Sequence, residues 1–377
     1  MKIGFFTDGY LPQINGVATS TEELARSLRN IKNKVTIVAP NYPHYKDNDK
    51  NVLRLKSVKV FKNPELRIAY MFPDKVLRQV ISRDFDIIHG FSGGSVPSLG
   101  LFLAKIKKKP YVFTYNTRYN QYTHYILNGK LIKPKAVEVT MAVFCNQCDA
   151  IIAPSDFIKE ELLSFGVKKP ITVIPNGIDI NKFKKLKTNA LRKKLALKKE
   201  DKIILYMGRL AKEKSVDFII KAFKKTSKEV KNSYLVIAGD GPEKEKLEKL
   251  AEKLNLTGRV VFLGYVNFED VVKIYSEANL FVFASETETQ GMVILEAMAS
   301  GLPVLTVRDR VFENIIKNNE EGFIVDKNEK IFSEKISALL KDDTLLSNVS
   351  KNARKKAEQF SLTEIAQKFD TLYRSLV

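Results

Sequence analysis

The chain has 377 residues, of which 44% are hydrophobic and 28% charged, and it carries a net charge of +20 at pH 7. That balance excludes a disordered chain, and the length exceeds one ordinary core, so two domains are expected. No apolar run is long enough to span a bilayer, and the start, MKIGFFTDGY, meets an acid before any long apolar stretch, so the expectation is an intracellular protein without a secretory leader.

In chain order, short apolar runs alternate with amphipathic ones. The first set of strand-like runs reads KIGFFT, KVTIVAP, DIIHG, YVFTYN, AIIAPS and ITVIP; the second reads KIILYMG, YLVIAG, VVFLGY, LFVFAS, PVLTV and GFIV. Between them lie helical patterns such as VDFIIKAFKKTSKEV and EKEKLEKLAEKL. Alternation of this kind predicts an α/β fold with two doubly wound, parallel-sheet, Rossmann-like domains facing across a cleft. The expected boundaries are 1–180 and 181–360, with a last helix over 361–377. The stretch Lys182 to Lys199 holds nine basic residues and no acid and is read as the connection.

The charge is unevenly placed. Residues 1–180 carry a net +11 and residues 181–377 a net +9, so the second half is neutral outside its basic stretch. Such a field suits an anionic membrane or nucleic acid, unless the lysines are simply solvated. No nucleic-acid-binding module is visible, and the basic residues are not interleaved with aromatics, so no nucleic-acid partner is expected. Cys145 and Cys148 form a lone CNQC, which without a second ligand pair points to reduced structural thiols rather than zinc.

Ligands of doubly wound sheets bind at the carboxyl ends of strands. After the first strand, Gly16 sits where a loop turns into a helix, either as a plain turn or as a place where backbone approaches a ligand. After KIILYMG come Arg209 and Lys214, either solvated charges or a pair of cations for a diphosphate. After LFVFAS, the segment SETETQGMVILEAMAS brackets a helix start with two acids, Glu288 and Glu296. The N–H groups of Gly291, Met292 and Val293 suit an anion there. An acid at such a place is either a cap or a hydroxyl acceptor. In the second case Glu288 grips a sugar ring and Glu296 a ribose, with a diphosphate between them.

In the first half, Tyr70, Met71 and Phe72 precede FPDKVLRQVISR. At helical spacing Val76, Leu77, Val80 and Ile81 share one face, while Lys75, Arg78 and Arg83 lie away from it. Such a helix either covers a sheet or rests on anionic lipid. The run AKIKKKP at 104–110 adds to the same basic character.

The segment ETQGMVILE resembles the E-x7-E motif of retaining GT-B glycosyltransferases of family four. NGV at 15–17, PNGID at 175–179, GRLAKEK at 208–214, GDGP at 239–242 and LGYV at 263–266 fall in that family's order, so the resemblance covers essentially the whole chain. FDIIHGFSGG at 85–94 and TYNTRYNQYTHYI at 114–126 are most similar to diacylglycerol glucosyltransferases of bacterial membranes. The resemblance implies transfer of a hexose, most simply glucose, from a UDP-sugar to diacylglycerol at the inner face of the cell membrane, with retention. It implies no metal and no cofactor beyond the UDP-sugar substrate. Arg209 and Lys214 then bind the diphosphate, Glu288 the sugar, Glu296 the ribose, Tyr265 and Val266 lie near the base, and Gly16 approaches phosphate and sugar from the other domain. The last helix crosses back onto the first domain. The resemblance also favours membrane contact for Tyr70, Met71, Phe72, Lys75, Arg78 and Arg83.

Two departures stand out. Asn116-Thr117 occupies the place of the family's usual His-Thr at the sugar–acceptor junction, and Asn cannot become a cation; His124, eight residues on, need not substitute. Ser215 replaces the usual Gly after Lys214 and is expected to cap the following helix. The alternatives are the same fold with another donor or acceptor, such as mannosyl transfer to phosphatidylinositol or polysaccharide synthesis, and, from other classes, a nucleotide-sugar epimerase or a basic nucleic-acid-binding protein.

Overall fold

The computed structural model describes residues 1–13, 15–60, 63–121 and 133–377. The chain forms two compact units: Met1–Gly177 with Leu362–Val377, and Ile178–Ser361.

The first unit is built on a seven-stranded sheet of order β3-β2-β1-β6-β7-β8-β9. Its strands are β1 (Lys2–Thr7), β2 (Lys34–Pro40), β3 (Val52–Leu55), β6 (Ile87–Phe91), β7 (Tyr111–Thr114), β8 (Ala150–Ala153) and β9 (Ile171–Val173), and every pair is parallel. Both faces are covered, which is why these strands read as nearly unbroken apolar runs. One face carries the helices Lys75–Ser82, Ser95–Lys107, Pro134–Cys145 and Asp156–Ser164. The other carries Gly16–Asn30 and the C-terminal helix Leu362–Leu376. The C-terminal helix is tied in through a buried contact: His89 Nδ1 lies 2.6 Å from Tyr373 Oη, and Nε2 lies 2.7 Å from Thr114 Oγ1.

An antiparallel hairpin, β4 (Ser57–Val60) with β5 (Asn63–Ala69), was not expected from the alternation of apolar runs. Neither was β3. β3 is a four-residue edge strand that buries only alternate residues, and the hairpin strand Ser57–Val60 buries none, so neither shows the pattern of a strand buried on both faces.

The second unit holds a six-stranded parallel sheet of order β12-β11-β10-β13-β14-β15. Its strands are β10 (Lys202–Met207), β11 (Ser233–Ala238), β12 (Val260–Gly264), β13 (Leu280–Phe283), β14 (Val304–Val307) and β15 (Phe323–Val325). The basic stretch 182–199 is part of this unit rather than a free connection. Its Leu191 is buried, and the N–H groups of Leu191 and Arg192 donate to the Glu277 carboxylate at 2.9 and 3.0 Å.

In each sheet the chain winds outward one way, returns, and winds outward the other way. The switch points lie between β1 and β6 and between β10 and β13. Crevices form at the carboxyl ends of such neighbouring strands, because their loops diverge to opposite faces.

Candidate active site

At the switch point of the second sheet, the loop after β10 carries Arg209 and Lys214, and the loop after β13 carries Glu288. Lys214 Nζ donates to Glu288 Oε1 at 2.5 Å, with the two side chains only 17% and 16% exposed. The loops are held by close backbone approach. Gly208 N–H donates to Ala238 O at 3.0 Å, and Leu210 N–H donates to Asp240 O at 2.9 Å. A Cβ on Gly239 would stand 1.9 Å from Gly208 O, so no side chain fits there. The Arg209 guanidinium is exposed and has no ion-pair partner among the described residues. Its carbonyl accepts from Tyr206 Oη at 3.1 Å.

Gly291 precedes the helix Met292–Ala299 in the left-handed region, φ 83°, where glycine is favoured. Met292 and Val293 form the first turn behind it. Glu296, on the next turn, accepts from Tyr275 Oη at 3.0 Å. Tyr265 follows β12 and is 61% exposed, with Val266 half-buried beside it. The second unit therefore brings Lys214 and Glu288 into contact, with Arg209 on the Lys214 loop and Gly291, Met292, Val293 and Glu296 on the segment that follows Glu288.

Ser215 does not cap the next helix. It takes φ 50°, its side chain makes no capping bond to the helix Val216–Glu229, and its Oγ instead accepts from Lys327 Nζ at 2.9 Å. The left-handed backbone explains why glycine suits this position in similar sequences. Lys327 also pairs with Glu286, so it ties the Lys214 loop to the Glu288 loop. Sequence reasoning missed Lys327, Glu286 and Tyr275. The first two look like ordinary surface charges, and Tyr275 looks like one more apolar position of an amphipathic helix.

In the first unit, Gly16 opens the helix Gly16–Asn30 behind Asn15, whose side chain accepts from Ala18 N–H at 2.9 Å. Among the described residues, a Cβ on Gly16 would meet no atom within 4 Å, so their packing does not explain the glycine. Asn116 is half-buried just beyond β7. Its loop is braced by Arg118, whose Nη2 lies 2.8 Å from Glu161 Oε1, with the side chains 8% and 10% exposed. Tyr119 Oη accepts from Gly93 N–H at 3.0 Å and braces it again. His124 lies outside the described residues. At the switch point of this sheet, Asp8 accepts from Ser95 Oγ at 2.8 Å and from Val96 N–H at 3.2 Å. Loss of water around its carboxyl raises its pKa to about 6 against those bonds.

Tyr70, Met71 and Phe72 are exposed, and Lys56 Nζ stands 4.0 Å from the centre of the Phe72 ring. Asp74 caps the helix Lys75–Ser82 by accepting from Leu77 N–H at 2.9 Å. The apolar face of that helix is split. Leu77 and Val80 are buried and Val76 half-buried, but Ile81 is 46% exposed; Lys75, Arg78 and Arg83 are exposed with it. Cys145 and Cys148 are free and buried, and burial pushes the Cys145 thiol up to about 12. Among the described residues, no group of three or more His, Cys, Asp or Glu is placed to hold a metal, and no helix is long and apolar enough to cross a membrane.

Two family models match in tandem: Glycosyltransferase Family 4 over residues 14–182 and Glycosyl transferases group 1 over 187–356. An alpha-monoglucosyldiacylglycerol synthase of Acholeplasma laidlawii is 31% identical across 100% of this chain and 98% of its own. The synthase of the same name from Streptococcus pneumoniae is 34% identical across 85% of this chain and 74% of its own. In fold, the chain is similar to Anabaena HepE, solved with UDP and glucose, at TM-score 0.79 and 20% identity across the full length of both chains. Sucrose-phosphate synthase of Thermosynechococcus elongatus gives the same TM-score and identity, across 100% of this chain and 98% of that one. With two parallel-sheet units of this kind and relatives at this identity, the chain belongs to the GT-B glycosyltransferases of family four.

Proposed function

We propose that this glycosyltransferase moves glucose from UDP-glucose to diacylglycerol at a membrane surface, with retention, making an α-glycolipid. The observation that carries the donor half is the Lys214–Glu288 contact at a sheet switch point. A cation for the diphosphate and a carboxylate for sugar hydroxyls stand side by side there, next to a helix start that favours anions. In this reading Arg209 and Lys214 hold the diphosphate, Gly291, Met292 and Val293 offer it backbone N–H groups, and Glu288 orients the sugar. Glu296 takes the ribose, Tyr265 and Val266 border the base, and Gly16 and Asn116 serve the sugar and acceptor from the first unit. The acceptor attacks on the face from which UDP departs. A diphosphate oxygen takes its proton, while the two cations and the helix start stabilise the leaving group. The reading needs no metal and no cofactor besides the donor.

The acceptor half is supported by the names of the two synthases and by a one-sided surface. The helical layer holding Lys75–Ser82 exposes Ile81, Phe102, Ile106, Val139, Val143 and Leu163. The helices on the opposite face of that sheet, Gly16–Asn30 and Leu362–Leu376, expose no large hydrophobic residue. Exposed apolar side chains next to Lys75, Arg78, Arg83, Lys105 and Lys108 match an anionic bilayer, the apolar groups entering and the cations resting on headgroups. The protein then works as a peripheral enzyme on the cytosolic leaflet.

The test is a panel of UDP- and GDP-sugars with mixed liposomes, the lipid products identified by mass. The expected product is a monoglucosyl diacylglycerol from UDP-glucose; product only from a GDP-sugar, or only on a water-soluble acceptor, overturns the reading. Flotation should show binding that rises with anionic lipid and falls with salt, since each Lys or Arg near the surface contributes ~1 kcal/mol.

A further inference from the structure

Tyr275 belongs to the helix Phe268–Glu277, which the fold anchors at the two residues that follow it. Ser276 Oγ accepts from Leu186 N–H at 2.9 Å, and the Glu277 carboxylate receives the N–H groups of Leu191 and Arg192. The Tyr275 ring is 1% exposed, edge-on to Phe183 at 6.1 Å and tilted against Phe281 at 5.9 Å. A ring held this way cannot swing its hydroxyl elsewhere. That hydroxyl lies 3.0 Å from Glu296 Oε2 and 3.4 Å from Val293 O, two positions on one face of the helix Met292–Ala299.

We infer that Tyr275 is a positioning residue for the donor's ribose: its buried hydroxyl holds the Glu296 carboxylate in the orientation that accepts the ribose hydroxyls. The inference rests on the proposed donor reading and adds to it the group that makes Glu296 selective. A glutamate side chain has three rotatable bonds, and free rotation costs affinity at each binding event. A fixed donor removes part of that cost. An ionised carboxylate accepts about four hydrogen bonds, so one given by Tyr275 leaves capacity for a diol. Burial also raises the Tyr275 pKa well above its ordinary value, so the phenol stays a donor at every working pH.

The experiment titrates UDP and 2′,3′-dideoxy-UDP, which lacks the ribose hydroxyls, into the wild type, Tyr275→Phe and Glu296→Gln. Phe keeps the ring packing, and a melting curve confirms the fold. The wild type should prefer UDP. Tyr275→Phe should bind UDP about three- to tenfold more weakly, the range for one lost hydrogen bond, and bind the dideoxy analogue unchanged. Equal weakening for both nucleotides assigns Tyr275 a general structural role and overturns the inference, as does no weakening for either. If the wild type does not distinguish the two, or Glu296→Gln keeps the wild-type preference, the ribose role of Glu296 itself fails and takes the inference with it.

Discussion

Lys214 Nζ donates to Glu288 Oε1 across 74 residues of sequence, joining the loops that follow β10 and β13. The pair is nearly buried, so each charge relies on the other in place of water. In the proposed reading an incoming donor rearranges that balance: the diphosphate takes Lys214, and the sugar hydroxyls take Glu288. Glu288→Gln therefore should keep or tighten UDP affinity, because Lys214 loses a competing anion, while transfer falls by tenfold or more. Lys214→Ala should weaken UDP binding by about tenfold or more, the range for a lost charge-assisted bond of ~1.5–3 kcal/mol. Calorimetry and initial rates on the two variants separate these effects. Matching losses of UDP affinity in both would contradict the division of roles.

Gly16 separates folding from function. A methyl group there touches none of the described residues within 4 Å, and the backbone is helical, so Gly16→Ala should melt at the wild-type temperature or slightly above. If Gly16 has the role proposed for it, transfer activity should nonetheless fall, because the added Cβ would crowd the donor. A variant with full activity would remove Gly16 from the site.

Arg118 stands two residues beyond Asn116 and forms a buried fork on Glu161, with Nε 3.2 Å from both carboxylate oxygens. Arg118→Ala leaves Glu161 buried without its partner and should cost ~3–5 kcal/mol of stability. Arg118→Lys should recover only part of this, because an ammonium cannot reproduce the planar fork. Urea unfolding of the three proteins measures both effects.

His89 couples stability to pH. Burial lowers its pKa well below 6.5, so the folded protein holds it neutral while the unfolded chain protonates it. The unfolded state then binds more protons below pH 6.5, and stability should fall as pH drops through that value. Asp8 acts in the opposite sense. Its folded pKa of about 6 lies above the ordinary 3.8, so its contribution is full below 3.8 and lost as pH rises through 6. Tyr373→Phe, which strips a hydrogen bond from buried His89, should cost ~1–3 kcal/mol at pH 7.5. Denaturation at several pH values, with Asp8→Asn alongside, reads both slopes; Asp8→Asn should gain most at and above neutral pH.

Much of the architecture is legible in the sequence because parallel strands buried on both faces have little choice of residue. AIIA and LFVF become β8 and β13 for that reason. The β4–β5 hairpin escapes notice because Ser57–Val60 has no buried residue and the partner strand contains Pro64, which sits at sheet edges. Within the candidate site, Lys214, Glu288 and Glu296 stand out through their places after strands and around a helix start. Their partners do not. Tyr275 meets Glu296, and Lys327 meets Ser215 and Glu286, only through packing of distant segments. Ser215 fails as a helix cap because its backbone is left-handed, a property of the turn rather than of serine.

The most direct test of the account is the chemistry of one product. The protein is incubated with UDP-glucose and anionic liposomes containing diacylglycerol, and the lipid product is isolated and its anomeric proton examined by NMR. The account predicts α-glucosyl diacylglycerol, formed at the liposome surface with release of one UDP per glucose. A β-linked product, or UDP release with glucose set free in water rather than on lipid, would contradict it.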